Sequence, residues 1–295
     1  MISQLIQKIQ KTKAPICVGL DPMLGYIPEH VKEKAFAEFG ETLEGAAEAI
    51  WQFNCAIVDA TADLIPAVKP QIAMYEQFGI EGLKAYDRTV KYCQQKGLIV
   101  IGDIKRGDIA KTAEMYAMGH FTGDFEADFV TLAPYMGLDS ISPYLPYAEK
   151  QGKGMFVLCR TSNGGAKDFE YEKLADGRHV YDLVGDKLNA LGKDYMGEHG
   201  YSSIGLVIGG THIEEATEIR AKYQDSFFLI PGYGAQGGKA EDIAQYLSKG
   251  NGGVVNSSRG ILLAYKKQPG VAFDEAAYNE CVNMKEAIAH ACSLL

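Results

Sequence analysis

The stretch LIVIGDIKRGDIAKTA, residues 98–113, decides how the fold is read. Apolar, mostly β-branched residues run through Gly102 into Asp103, Lys105 and Asp108, and a helix-compatible segment follows. A near-continuous apolar run suits a strand buried on both faces, as in a parallel sheet. Neither histidine nor cysteine lies in the stretch. The charges at its end therefore need a role other than metal ligation by imidazole or attack by a thiol.

The same unit recurs along the chain. Apolar segments appear at 16–21 (ICVGLD), 64–70 (LIPAVKP), 98–105, 127–134 (ADFVTLAP), 155–162 (MFVLCRTS), 204–211 (IGLVIGGT), 227–234 (FFLIPGYG) and 252–258 (GGVVNSS). Helix-compatible stretches lie between them at 31–62, 75–96, 108–124, 139–151, 171–199, 212–223 and 238–249, with further helical pieces at 259–266 and 272–293. This alternation predicts the α/β class and a (β/α)8 TIM barrel with extra helices. No Pro/Ser-rich linker or charge block interrupts it, so residues 1–295 are expected to form a single domain. The first and fifth connections are long, and 166–200 has room for more than one helix.

Composition narrows the function. The chain has 295 residues, 47% hydrophobic and 23% charged, with a formal net charge of -9. Such a charge argues against a nucleic-acid partner and requires a local positive site for any anionic substrate. Six cysteines (Cys17, Cys55, Cys93, Cys159, Cys281, Cys292) show no Cys-x-x-Cys spacing and read as buried, reduced thiols. MISQLIQKIQKTKAP at the N-terminus predicts a short amphipathic helix, too polar for a signal-peptide core. No window approaches the ~18 apolar residues of a membrane span. A soluble cytoplasmic protein without a membrane partner is expected.

A barrel carries its site at the carboxyl ends of the strands. Here those ends read GLDP, VKPQ, GDIKRGD, LAPY, CRTSN, IGGTH, PGYGAQGG and NSSRG. Residues two apart on a strand share a face, so Asp103 and Lys105 are expected to point together into the barrel mouth. Asp21 and Lys69 end the two preceding strands and should face the same space. Asp108 should open a helix on which Thr112, four residues on, shares its face. Structural salt bridges would explain one buried pair, but four or five charges at adjacent strand ends are costly to desolvate. The glycine-rich PGYGAQGG (231–238) and Arg259 of NSSRG fall after strands seven and eight, the recurring phosphate position of this fold. His30, His120, His179, His199, His212 and His290 show no metal spacing; only His212 stands beside a strand end. Trp51 is expected in the core.

With these motifs in place, the sequence resembles the orotidine 5'-phosphate decarboxylase family, in its longer bacterial-type branch. GLDP (19–22), AVKPQIAMYEQFG (67–79), IGDIKRGDIAKTA (101–113), FVLCRTSNGG (156–165), PGYGAQGG (231–238) and VNSSRGI (255–261) fall in the family's order, across roughly residues 14–266. The resemblance implies decarboxylation of orotidine 5'-monophosphate to UMP, the last step of de novo UMP synthesis, without metal or organic cofactor. It implies a catalytic network of Lys69, Asp103, Lys105 and Asp108, with Lys105 as proton donor. Asp21 and Lys69 would hold ribose hydroxyls and Ser162 would read the pyrimidine edge. Gln236, on a closing loop, and Arg259 would hold the phosphate, with Pro231, Gly234 and Ser258 completing the cradle. Asp108, Ile109 and Thr112 would serve the partner's site, which makes a homodimer with shared sites the expected unit.

Two stretches depart from the family pattern. Leu132-Ala133-Pro134-Tyr135 stands where Asn-Pro-Tyr is expected, and Ser162-Asn163-Gly164-Gly165 replaces Ser-Asn-Pro-Gly. Two other functions compete: a Mg-dependent sugar-phosphate decarboxylase or aldolase, and a non-catalytic nucleotide-binding barrel. The former would need an acidic ligand where this chain has Lys69. The latter would be expected to have lost part of the charge network.

Overall fold

The computed structural model describes every residue except Thr211, His212, Ala235, Gln236, Leu294 and Leu295. Eight parallel strands close into a barrel, each hydrogen-bonded to its neighbours in sequence and β1 also to β8. They are β1 Ile16–Leu20, β2 Ala67–Pro70, β3 Ile99–Arg106, β4 Phe129–Leu132, β5 Gly154–Arg160, β6 Ile204–Ile208, β7 Phe228–Pro231 and β8 Gly253–Ser257. Each lies within one of the apolar segments, or within a residue of it. The expected TIM barrel is the observed fold.

Helices surround it: α1 Ile2–Thr12, α2 Glu29–Phe39, α3 Leu43–Thr61, α4 Ala73–Glu76, α5 Gly79–Gln95, α6 Ala110–Phe121, α7 Leu145–Gln151, α8 Val180–Gly192, α9 Ala216–Lys222, α10 Ala240–Ala244, α11 Arg259–Leu262 and α12 Phe273–Ser293. The single helix expected over 31–62 is two. Gly40, at φ 72°, turns the chain out of α2, and Thr42 caps α3 by accepting a hydrogen bond from the Gly45 amide at 3.1 Å. The stretch 75–96 likewise splits into α4 and α5. Within 171–199, only α8 and the 3-10 turn Lys193–Tyr195 are helical; residues 171–179 form a loop closed by a bridge between Lys173 and His179. Trp51 is not in the core. It lies half-buried beside α5, its ring edge-on to Tyr92 and under the Arg88 guanidinium at 4.3 Å.

Strand alternation divides the apolar residues into two clusters. Ile16, Val18, Val68, Val100, Val130, Val157, Leu206, Ile230 and Val255 pack outward against the helices. Cys17, Ala67, Ile99, Ile101, Phe129, Phe156, Val207, Leu229 and Val254 fill the lumen. Ile2, Leu5, Ile6 and Ile9 of α1 join the second cluster. The amphipathic N-terminal helix thus stops the barrel at the end from which the strands set out. All six cysteines are free thiols; Cys17, Cys93, Cys159 and Cys281 are buried, and burial pushes the Cys55 thiol up to about 12. No helix among the described residues is long and apolar enough to cross a membrane.

Candidate active site

At the carboxyl ends of the strands the lumen opens into a cavity of about 620 Å³. The same inward face that is apolar lower in the barrel becomes polar here. Lys69 follows Ala67 by two positions, as Asp103 follows Ile101, Thr131 follows Phe129 and Asn256 follows Val254. The second member of each pair lines the cavity.

The centre of the site is Asp103, 5% exposed. Its Oδ2 accepts a hydrogen bond from Lys69 Nζ at 2.5 Å. Its Oδ1 accepts from Lys105 Nζ at 2.5 Å and from Thr131 Oγ1 at 2.8 Å. Burial alone would raise the Asp103 pKa, but the Lys69 and Lys105 charges overcome it and hold the carboxyl well below the usual carboxylate range. Burial opposes the charge on Lys69, yet Asp103 and Asp21 keep its ammonium above the ordinary lysine value. Asp21 Oδ1 stands 3.9 Å from Lys69 Nζ. A buried ammonium therefore occupies the space between two carboxylates.

Lys105 does not reach this network by simple alternation. The pairing of β3 with β4 shifts register between Gly102 and Arg106, and Lys105 adopts φ 44°. A left-handed lysine is uncommon and is held by its surroundings. Here the Lys105 amide donates to Thr131 Oγ1 at 3.0 Å, the same hydroxyl that serves Asp103. The bend leaves the Lys105 side chain 46% exposed at the cavity, above a buried Asp103.

The cavity gathers Asp21, Lys69, Asp103, Lys105, Ser162, Pro231, Ser258 and Arg259 from the expected site. Gly234 is not in its wall, although Gly232 and Tyr233 are. Gln236 and His212 lie outside the described residues. Asp108, Ile109 and Thr112 do not reach their own chain's cavity. The expectation that Asp108 opens a helix is not met. α6 begins at Ala110, and Asp108 Oδ1 accepts from the Ile109 amide at 2.8 Å in the turn before it.

Sequence reading missed several wall residues, among them Thr131, Asn256, Met23 and Tyr26. Thr131 and Asn256 had a signal: a polar side chain at inward parity in an otherwise apolar strand. Asp21 Oδ1, Asn256 Oδ1 and Ser258 Oγ are buried and make no hydrogen bond. Buried polar atoms normally find partners, so three in one cavity wall mark a place shaped for a polar ligand. Among the described residues, no group of three or more His, Cys, Asp or Glu is placed to hold a metal ion.

Residues 14–272 match the model of the Orotidine 5'-phosphate decarboxylase / HUMPS family. A Clostridium perfringens (strain SM101) protein named orotidine 5'-phosphate decarboxylase is 55% identical over 289 residues, 98% of this chain and 98% of that protein. A Clostridium acetobutylicum protein of the same name is 54% identical over 290 residues, again 98% of each. The solved structure of Leishmania donovani OMP decarboxylase matches with a TM-score of 0.76 at 29% identity, covering 98% of both chains.

Proposed function

The chain belongs to the orotidine 5'-phosphate decarboxylase / HUMPS family, and from that premise we infer that it is the decarboxylase: a carboxy-lyase of pyrimidine biosynthesis that converts orotidine 5'-monophosphate to UMP and carbon dioxide. The observation that carries the choice within the family is the Lys69 ammonium, 2.5 Å from Asp103 and 3.9 Å from Asp21. A metal-dependent relative would need an acidic ligand at this strand end, and here the position carries the opposite charge. The site needs no metal ion to balance its carboxylates.

The chemistry follows from charge placement. Loss of carbon dioxide from C6 leaves an electron pair in the ring plane with little resonance relief. Catalysis can lower a barrier by as much as about 23 kcal/mol against common uncatalysed references, and preorganised charge is usually the largest single contribution. In this reading Lys105, half-exposed and hydrogen-bonded to Asp103, stabilises the developing charge and then delivers a proton to C6. Asp103 faces the departing carboxylate, keeps Lys69 charged and orients Lys105 through its hydrogen bond. Asp21 and Lys69 take ribose hydroxyls, and Asp21 Oδ1, which has no hydrogen bond, fits a hydroxyl donor. Ser162 reads the pyrimidine edge. Arg259, with Pro231, Gly234, Gln236 and Ser258, takes the phosphate. Its binding energy, remote from C6, would be used to hold the reacting geometry.

We further propose a cytoplasmic homodimer in which Asp108, Ile109 and Thr112 complete the partner's site. Their absence from their own cavity supports this reading. So do the large apolar side chains exposed in the single chain at Ile109, Met115, Tyr116 and Met118, on and just before α6, and at Tyr135 and Met136 after β4. The domain reading is one barrel, because α1 packs into its lumen. The negative net charge supports a small-molecule partner over nucleic acid.

The deciding experiment follows the loss of orotidine 5'-monophosphate absorbance. Activity is expected to withstand EDTA and to vanish in Lys105→Ala; activity that disappears on chelation would overturn the metal-free assignment. Subunit mixing tests the dimer. Inactive Asp108→Ala and Lys105→Ala proteins should regain part of the activity as heterodimers, and verified exchange without recovery would rule out shared sites.

A further inference from the structure

The last two residues of β5 and the one after it, Cys159, Arg160 and Thr161, tie the segment that follows β5 to the base of the cavity wall. Cys159 Sγ donates to the Tyr181 carbonyl at 3.3 Å. Arg160, fully buried, contacts Tyr171 Oη at 3.4 Å and donates to Tyr246 Oη at 2.7 Å and Glu215 Oε2 at 3.0 Å. Thr161 is held at two points by one carboxylate: its amide donates to Glu170 Oε2 at 2.7 Å, and its hydroxyl lies 2.6 Å from Glu170 Oε1. The next two residues, Ser162 and Asn163, line the cavity.

The carboxylate is itself fixed. The Glu170 amide donates to the Ala166 carbonyl at 2.8 Å, which closes the turn that follows Asn163. Its carbonyl accepts from the Tyr181 amide at 3.0 Å, at the first turn of α8. The hydroxyl of Thr161 also meets Asn163 Oδ1 at 2.6 Å. It has one proton, so it can donate to only one of the two. The charged carboxylate is the stronger acceptor.

We propose that Glu170 is a positioning residue for the base end of the cavity. Its carboxylate locks Thr161 and so sets the orientation of Ser162, which makes the 166–192 insertion a functional part of the site wall. The proposal rests on the reading of Ser162 as the residue that recognises the pyrimidine edge. The β5 loop has Gly164 where the family pattern has proline, and two charge-assisted hydrogen bonds to Thr161 supply a restraint of another kind.

The test compares ligands with and without a base. Glu170→Ala should weaken binding of UMP and lower kcat/KM for orotidine 5'-monophosphate by about tenfold or more, with binding of ribose 5-phosphate unchanged. Glu170→Gln should restore most of the loss, since its carbonyl can accept from the Thr161 amide while its amide donates to the hydroxyl. Thr161→Val, which keeps the amide contact and the side-chain shape, should show a smaller base-selective loss and gives the answer if Glu170→Ala does not fold. The double variant Ser162→Ala/Glu170→Ala should bind UMP no more weakly than Ser162→Ala alone. Equal losses for UMP and ribose 5-phosphate, or no loss for either, would overturn the proposal. If Ser162→Ala binds UMP normally while Glu170→Ala remains base-selective, the Ser162 assignment fails and the positioning role stands. Impaired Ser162→Ala beside a normal Glu170→Ala would overturn the positioning role and leave the Ser162 assignment standing.

Discussion

The two ends of the barrel lumen are built on the same strands and the same pleat face, yet they are opposites. At the end where the strands begin, Phe156 stacks on Phe129 at 5.1 Å between ring centroids, and α1 covers the layer with Leu5, Ile6 and Ile9. At the other end, a step of two residues up β2 and β3 replaces Ala67 with Lys69 and Ile101 with Asp103. The closed end gains free energy from burial and close packing. The open end keeps charges in a partly desolvated mouth, at a cost that only their mutual hydrogen bonds offset. Stability is thus concentrated at one end and chemistry at the other.

That division can be broken experimentally. The largest expected effect is at the open end: Lys105→Ala should reduce kcat by at least about 10³-fold. Unfolding free energy should change by no more than about 1 kcal/mol, because a half-exposed ion pair contributes little and Asp103 retains Lys69 and Thr131. Urea unfolding and the absorbance assay on one preparation would check both. A loss of several kcal/mol with this variant would show that the network is structural. At the closed end the pattern should invert. Phe156→Ala should cost about 3–5 kcal/mol, and Leu5→Ala about 2–5 kcal/mol, by opening cavities in the lumen. The folded fraction should turn over at the wild-type rate, and a matching fall in kcat per folded molecule would mean that the ends are coupled.

The smallest effect contrasts two buried titratable groups. Asp103 is buried and charged because two lysines neutralise it. His120 is buried with Nδ1 unpartnered, stacked beside Phe125 and near the Arg106 charge. Burial first, and Arg106 second, pull its pKa from 6.5 down to about 4. The unfolded chain therefore binds the extra proton first as pH falls. Full stability should hold above pH 6.5 and decline toward pH 4, by about 3 kcal/mol at most. His120→Leu should flatten that part of the pH–stability curve, measured as the urea midpoint at each pH. An unchanged slope would show that His120 does not carry it.

Where local pattern governs, the sequence could be read directly. The strands appeared as apolar runs because each is buried on both faces, and Lys69, Asp103, Lys105 and Arg259 stood out as charges at their ends. The break between α2 and α3 was also written locally, in Gly40 and the capping Thr42, but a continuous helical pattern over 31–62 obscured it. Thr131 escaped notice because a threonine in a strand is ordinary. Its importance comes from the neighbouring strand, which sets Asp103 and the Lys105 amide against one hydroxyl. Glu170 is a surface-like acid in sequence, and only the return of the chain places it on Thr161.

By itself, then, the sequence determined the strand–helix order, the inward parity of each strand and the charges at the strand ends, because these depend on periods of two and 3.6 residues within short windows. Tertiary structure decided the rest. It made the left-handed bend at Lys105, the ammonium between two carboxylates, the wall oxygens that lack hydrogen bonds and the hold of Glu170 on the β5 loop. Each requires atoms from elements far apart in the chain to meet within hydrogen-bond distance, and barrel closure brings them there.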